Sequence, residues 1–279
     1  MVHRFRARRQ AWRRTRLHGE WSRRVAGRPT LQAAALALGS AHLLHGDIDG
    51  AASPCAEAAR IEESDATREN HFVGGLLLHG VRALRAGDLP SAAERLQRAV
   101  ARYAASDHVY AASFQALAHC ALAELLLHAG TVEDALAAYD RARAVVGAHP
   151  AALAVGWMQD RAQTGRAGVL AESYQRRRAE RALEAAVELL DTRAGYDFGW
   201  MWECGPGPAF VDVARAVVRL RAPEQAASWL ARAEAAGWAD LTVFSVEPWF
   251  GRYSEHPAFV AVRNAVAALA AAFRRALGD

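Results

Sequence analysis

The residues with the most distinctive side-chain chemistry lie in the loop 196–208, where aromatic rings stand beside a cysteine among Gly and Pro residues. Rings on such a loop can line a small-molecule pocket, and a thiol can act as a nucleophile. No histidine or other base lies near the thiol in the sequence, so we favour rings that fill a gap between helices. The residues concerned are Tyr196, Phe198, Trp200, Trp202 and Cys204.

Histidines and glycines also suggest chemistry, but their surroundings do not support it. His42 and His45 are three residues apart, yet neither belongs to a HExxH or CxxC motif with a carboxylate at ligand spacing. Gly75 and Gly80 have the spacing of a phosphate-binding loop, but Val81 follows where that loop requires lysine. The sequence therefore predicts no catalysis, no metal site and no cofactor.

The residues 1–29 form an Arg-rich N-terminal extension. Residues 1–28 contain ten Arg against the single Glu20, a net charge of +9, so the remainder of this +4 chain carries about −5. A basic amphipathic helix here would bind nucleic acid or an acidic partner. We favour a solvated extension, because a charged run of this kind rarely buries enough apolar surface to fold.

The composition of the chain predicts helices, and its few, widely spaced cysteines predict a reducing compartment. Hydrophobic residues make up 52% of the 279, the sequence contains no lysine, and Ala, Leu, Arg and Glu recur, so the chain is predicted to be all-α. Its three widely spaced cysteines do not suggest disulfides, and no apolar run is long enough to predict a membrane span. Arg23-Arg24 before residues 31–41 resembles a twin-arginine export signal, but the stretch also fits a first repeat helix. We expect a cytoplasmic protein.

Three segments share one pattern of small and large residues, and that repeat determines the predicted architecture. Successive positions are separated by 3, 1, 3, 4, 5, 4 and 3 residues, which places one face on a first helix, a Gly at a turn, and a second face on a returning helix. The segments are Ala35-Leu38-Gly39-His42-Gly46-Ala51-Cys55-Ala58, Leu76-His79-Gly80-Ala83-Gly87-Ala92-Leu96-Ala99 and His119-Leu122-Ala123-Leu126-Gly130-Ala135-Tyr139-Ala142.

The turns contain residues that suit the end of one helix and the start of the next. Gly46, Gly87 and Gly130 are predicted to take the left-handed conformation that ends a first helix. Asp47, Asp88 and Thr131 follow them, and their side-chain oxygens are predicted to cap the second helix. Small residues at the repeat positions, such as Gly39 and Gly80, let the two helices approach closely.

This pattern resembles the tetratricopeptide repeat (TPR) over residues 32–147. The repeats begin 41 and 43 residues apart instead of the family's 34, and Pro54 falls within the first returning helix. The longer period is similar to that of repeats in the sensor regions of bacterial transcription activators and of kinase- or cyclase-linked proteins. The resemblance implies an α-solenoid of helix-turn-helix repeats with a concave surface that binds a partner.

The remaining units match the pattern less closely. A helix is predicted to run from about 150 to Thr164 and stop before Gly165, and a second from Ala167 to Arg193, interrupted by the polar stretch 175–178. The full TPR-like domain is predicted to be 30–279. Its repeats lie near 32–66, 73–106 and 116–149, followed by a degenerate unit 150–193, a unit 207–238 and a capping segment 247–277 that ends in a helix to about Leu277.

The TPR resemblance also implies which side chains line the concave groove. Its positions fall mainly on apolar residues with a few charges, so we expect an amphipathic helix or apolar peptide as the partner; packing of these residues against an adjacent helix is the alternative. The candidate partner-binding residues are Leu77, Val81, Arg85, Cys120, Glu124, His128, Arg215 and Arg219.

Three functional hypotheses follow. The leading one is a non-catalytic protein- or peptide-binding TPR scaffold or adaptor. The alternative is the sensor or coupling region of a bacterial signalling or transcription-regulatory protein, with the basic tail touching nucleic acid or an acidic partner. The third is an enzyme or small-molecule binder that uses the loop 196–208.

Overall fold

The computed structural model describes residues 32–64, 73–152, 155–193 and 206–277. Within these ranges the regular structure is helical, with no strand. The Arg-rich extension and most of the aromatic loop 196–208 lie outside the described residues. The helices are α1 Gln32–Leu44, α2 Ala52–Glu63, α3 Gly75–Arg85, α4 Leu89–Ala104, α5 Ala111–His128, α6 Val132–Ala148, α7 Val155–Glu172, α8 Arg176–Arg193, α9 Pro206–Arg219, α10 Pro223–Ala235, α11 Val243–Val246, α12 Pro248–Gly251 and α13 Pro257–Leu277.

The first ten helices pack as five consecutive hairpins in two layers. The odd-numbered helices α1 to α9 contact one another in order and form an inner layer, while the even-numbered helices pack on the outside against their odd-numbered neighbours. Each hairpin thus covers an apolar face of the next, as in a repeat solenoid. The predicted all-α solenoid class is confirmed.

The glycine turns adopt the predicted conformation. Gly46, Gly87 and Gly130 have φ values of +71°, +77° and +79°, and each follows the end of an inner helix. In the fifth hairpin Arg221 takes the same role with φ +64°. A left-handed residue is therefore required at this point even where the sequence does not supply glycine.

The predicted N-caps are correct in only one hairpin. Asp88 caps α4, because its Oδ1 accepts the N–H of Ser91 at 3.2 Å. Asp47 does not cap α2, which begins later, at Ala52; its carboxylate instead accepts the Gly50 N–H and contacts His42. Thr131 occupies the N-cap position of α6 but makes no capping bond, since its hydroxyl donates to the carbonyl of Leu126. The hydroxyl of Thr131 thus bonds back to the end of α5, and the carboxylate of Asp47 bonds to residues on either side of it, His42 and Gly50.

Small residues let the helices of a hairpin approach closely. A Cβ on Gly39 would lie 2.8 Å from the Sγ of Cys55, and one on Gly80 would lie 2.8 Å from the Leu96 side chain. Real side chains do not approach so closely, so these positions must be glycine at the observed spacing. Pro54 is accommodated because it lies in the first turn of α2, where a missing N–H is tolerated.

The prediction that a helix stops before Gly165 is wrong. α7 runs without a break from Val155 to Glu172, and the chain turns at Tyr174, whose φ is +59°. Gly165 serves packing, because a Cβ there would overlap the ring of Tyr139 on α6. The glycine thus makes room for an aromatic ring of the preceding repeat instead of ending the helix.

The C-terminal part returns to the first repeat. Residues 238–250, here called the strap, cross to the inner helices, and the N–H of Ala239 donates to the carbonyl of Leu44 at 3.1 Å. α13 then packs on α10 and also reaches α1, where the ring of Phe273 stacks on His45 at a centroid distance of 3.5 Å. The solenoid is therefore closed on its inner side by its own chain.

By length and composition alone, α13 qualifies as a membrane-spanning helix over Pro257–Ala276, whereas the sequence analysis predicted no span. About 28% of its most apolar window is buried in the fold. The buried residues, Phe259, Val262, Val266 and Phe273, recur at helical spacing on the face turned to the body. This pattern is typical of a helix that caps the last repeat, and a capping helix of this kind can be as long and as apolar as a membrane-spanning helix.

Candidate concave site

The inner helices bring the predicted groove residues together around one narrow cleft. Leu77, Val81 and Arg85 come from α3, Glu124 and His128 from α5, and Arg215 from α9, and all six line one cavity. Arg219 lines a second cavity, which shares Glu124, His128 and Arg215 with the first. Cys120 lies outside both linings and is only 2% exposed.

The space left in this cleft is small. The two cavities measure about 30 Å³ and about 20 Å³, which is room for one or two water molecules each. Sites for drug-sized ligands are typically roughly 300–1,000 Å³. Thr242 and Val243 of the strap form one wall of the larger cavity.

Arg161 and Asp212 form the centre of a buried ion network. The Arg161 Nε donates to Asp212 Oδ2 at 2.7 Å, and the Arg215 Nη1 donates to Asp212 Oδ1 at 2.9 Å. The Oε1 of Glu124 lies 3.6 Å from Arg161 and 3.4 Å from Arg215. Two guanidinium groups are thus shared between two carboxylates from the inner helices, and each guanidinium contacts both carboxylates.

The strap supplies two further carboxylates. Glu247 accepts from the Arg219 Nη2 with both oxygens at 3.2 Å and lies 3.6 Å from the Arg215 Nε. Asp240, which is fully buried, pairs with Arg85. Arg219 also lies 3.4 Å from Glu172 of α7. We call these nine charged groups the inner ion network: Arg85, Glu124, Arg161, Glu172, Asp212, Arg215, Arg219, Asp240 and Glu247.

The charge states of this network follow from its geometry. Burial opposes the charged form of Arg161 and Arg215, but the carboxylates of Asp212 and Glu124 outweigh it and raise the pKa of both. Burial likewise opposes the charged form of Glu124, yet the neighbouring guanidinium groups hold its pKa below the ordinary value. Burial and the charge of Arg215 lower the pKa of Arg85 to about 9, so it still carries its charge at neutral pH.

The two buried cysteines, Cys55 of the outer helix α2 and Cys120 of the inner helix α5, are not placed for nucleophilic chemistry. Burial raises the pKa of Cys120 to about 12, although Arg161 opposes that effect, and Cys55 has the same value for the same principal cause. A thiolate is the reactive form, and it is scarce at neutral pH under these conditions. Within the described ranges no group of three His, Cys, Asp or Glu side chains is placed to hold a metal ion.

The concave surface is more charged than the sequence analysis predicted. Arg161 and Asp212, as well as Asp240 and Glu247 of the strap, were not among the predicted groove residues. One signal was available: on α9, Asp212, Arg215 and Arg219 form a charged stripe in a helix whose other residues from 209 to 218 are apolar and buried. Charges in such a helix need buried partners, so the stripe predicts facing charges of opposite sign.

A scan against protein-family models finds no match to this chain, and a search of curated proteins finds none. The likeness to tetratricopeptide repeats therefore stands on the spacing of the residues themselves and on the all-helical hairpin architecture.

Proposed function

We propose that this chain is a non-catalytic, cytoplasmic helical-repeat scaffold or adaptor of the long-period TPR type, which binds a protein or peptide partner in its concave groove. The observation that carries the proposal is that the groove already holds a short segment of polypeptide. The strap lies there with its carboxylates on Arg85 and Arg219 and its Val243 only 2% exposed. A surface that binds one segment in this way has the features needed to bind another.

The cleft as it stands is too narrow for a peptide, so a partner must replace the strap. The strap is the segment that would exchange: its regular structure consists of two helices of four residues each, α11 and α12, and its buried Trp238 and Phe250, each 1% exposed, would have to leave the core. Segments with few local hydrogen bonds open more readily than long packed helices.

Photo-crosslinking at the mouth of the groove tests this function. His128 is exposed and lines both cavities, so benzoylphenylalanine in its place should capture the partner in host cells without disturbing the core. Arg141, exposed on the outer helix α6, is the matched control position. We expect a covalent adduct with one protein at 128 that is absent at 141, measured by mass spectrometry. Equal capture at the two positions, or capture at 141 alone, would contradict binding in the groove.

The charge asymmetry of the sequence favours a second candidate, the sensor or coupling region of a regulatory protein. Residues 1–28 carry +9 against about −5 for the rest, which is the distribution expected of a tail that touches nucleic acid or an acidic partner. We expect deletion of residues 1–28 to leave partner capture at His128 intact. Binding of duplex DNA that weakens with salt and disappears on this deletion would support the regulatory function instead.

A further inference from the structure

We infer that the partner segment has the chemistry of the strap: a short acidic peptide with two carboxylates seven positions apart and an apolar centre. This inference rests on the proposed function and specifies its ligand. The strap, with Asp240 and Glu247 at its two acidic positions, is the bound form of such a peptide within the same chain.

The first carboxylate position is rigidly defined. Asp240 pairs with Arg85 through Oδ2, while its Oδ1 accepts the N–H of Thr242 at 2.9 Å and the hydroxyl of Thr242 at 2.6 Å. The chain before it is held to α1 by the bond from Ala239 to Leu44. An acidic residue followed two positions later by Thr or Ser reproduces this turn within a peptide.

Two arginines bind the carboxylate at the second position. Arg219 donates to both oxygens of Glu247, and Arg215 approaches one of them. Because guanidinium groups match carboxylates in geometry and charge, an acidic side chain is preferred here over a neutral one. Both arginines are also paired within the fold, Arg215 with Asp212 and Arg219 with Glu172.

One side of the groove between the two charged positions is apolar. Val243 is buried and faces the cavity that Leu77, Val81 and Leu117 line. A branched aliphatic residue three positions after the first acid fits this wall. The pattern recognised is therefore acid, two residues, aliphatic, three residues, acid.

When such a peptide replaces the strap, each carboxylate of the strap is replaced by a carboxylate of the peptide. Each buried arginine stays paired in both states, so the penalty for an unpaired buried charge does not arise. The strap competes strongly only because it is tethered, which gives it a high effective concentration. A substitution that weakens the contacts of the strap in the intact chain should therefore increase the measured affinity of the groove for the peptide.

Fluorescence anisotropy of a fluorescein-labelled synthetic peptide with the sequence of residues 238–250 tests this. The full-length protein and its Glu247→Gln variant are compared, because this substitution weakens the strap while Arg215 and Arg219 keep Asp212 and Glu172. We expect the variant to bind the peptide at least about tenfold more tightly than the unaltered protein. A control peptide with Asn and Gln at the two acidic positions should bind neither protein, and added salt should weaken binding of the acidic peptide.

Three results would overturn the inference. The first is a cooperatively folded Glu247→Gln variant that binds the peptide no better than the unaltered protein, and the second is equal binding of the neutral peptide. The third is a dimer, seen by light scattering, that excess peptide does not dissociate, which would assign the groove to a second copy of this chain. If Glu247→Gln fails to fold, Asp240→Asn replaces it, because the asparagine oxygen can still accept from Thr242.

The two proposals fail in different ways. If the peptide binds but no partner is captured at residue 128, the inferred ligand chemistry of the groove is supported and the adaptor function is contradicted. A captured partner together with no binding of the acidic peptide would retain the function and exclude this ligand class.

Discussion

Replacement of Asp212 by alanine is expected to lower the free energy of unfolding by about 3–5 kcal/mol, because it leaves two buried guanidinium groups without their principal partner. Asp212 is 6% exposed and pairs with Arg161 at 2.7 Å and Arg215 at 2.9 Å. Glu124 is the nearest remaining carboxylate, and it lies 3.6 Å and 3.4 Å from these two groups. It cannot replace both bonds of Asp212 at once. Urea denaturation followed by circular dichroism measures the loss.

Asp191→Ala is the matched control for this prediction. Asp191 also pairs with an arginine at 2.9 Å, Arg232, but both side chains are exposed to solvent. Solvent-exposed ion pairs typically contribute less than about 1 kcal/mol. A loss at Asp212 no larger than the loss at Asp191 would show that the inner ion network does not hold the inner helices together.

Glu62→Gln is expected to change how stability depends on pH. Glu62 is 4% exposed at the end of α2, and its Oε2 accepts the N–H of Leu76 in the first turn of α3 at 3.0 Å. Burial raises the pKa of this carboxyl to about 7, although the N–H groups of Leu76 and Gly75 and the charge of Arg102 act in the opposite direction. The folded protein therefore holds a proton on Glu62 that the unfolded chain has already released.

The sign of the effect follows from this proton. Between pH 4.5 and about 7 the unfolded state binds fewer protons at Glu62 than the folded state, so the contribution of Glu62 to stability falls as the pH rises through this window. The full change is about 3 kcal/mol. Glutamine does not titrate, so the variant should gain about this amount relative to the unaltered protein between pH 4.5 and pH 8.

His79 makes the comparison with a variant necessary. Burial and the charge of Arg95 lower the pKa of His79 to about 4, so its contribution to stability falls as the pH drops from 6.5 towards 4. This slope opposes that of Glu62 over nearly the same window, and the pH profile of the unaltered protein alone would conceal both. Urea midpoints of the two proteins at each pH isolate Glu62. A difference between them that stays constant with pH would exclude a protonated Glu62 in the folded state.

The closed groove changes what partner binding requires. An open solenoid binds through a preformed surface, whereas in the adaptor that we propose the strap would leave first, so competition with the strap would set the apparent affinity for a partner. The same contacts that hold the strap, Arg85 with Asp240 and Arg219 with Glu247, determine how readily it leaves. In the proposed adaptor, substitutions of Asp240 or Glu247 should therefore change partner affinity while the arginines of the inner helices stay in place.

The sequence alone determined the hairpins and most of their turns. Gly46, Gly87 and Gly130 recur at fixed spacing because each repeat needs a left-handed residue after its first helix, and that requirement is local. The close approaches at Gly39 and Gly80 were predictable for the same reason, since both contacts occur within one hairpin. Counting positions along the inner helices also located Arg215 and Arg219 on the concave side.

Only the tertiary structure decided what fills the groove and which charges meet there. Arg161 and Asp212 are 51 residues apart, and Arg215 and Glu124 are 91 apart, so no local period relates them. Gly165 looked like a helix stop because its partner, the Tyr139 ring, comes from the preceding repeat. Most of the strap, residues 239–246, fell between the predicted unit 207–238 and the predicted capping segment 247–277, since local periodicity specifies a helix but not which surface a connecting segment will cover. Buried charges must be paired, and the fold meets that requirement by returning Asp240 and Glu247 to the arginines of the inner helices.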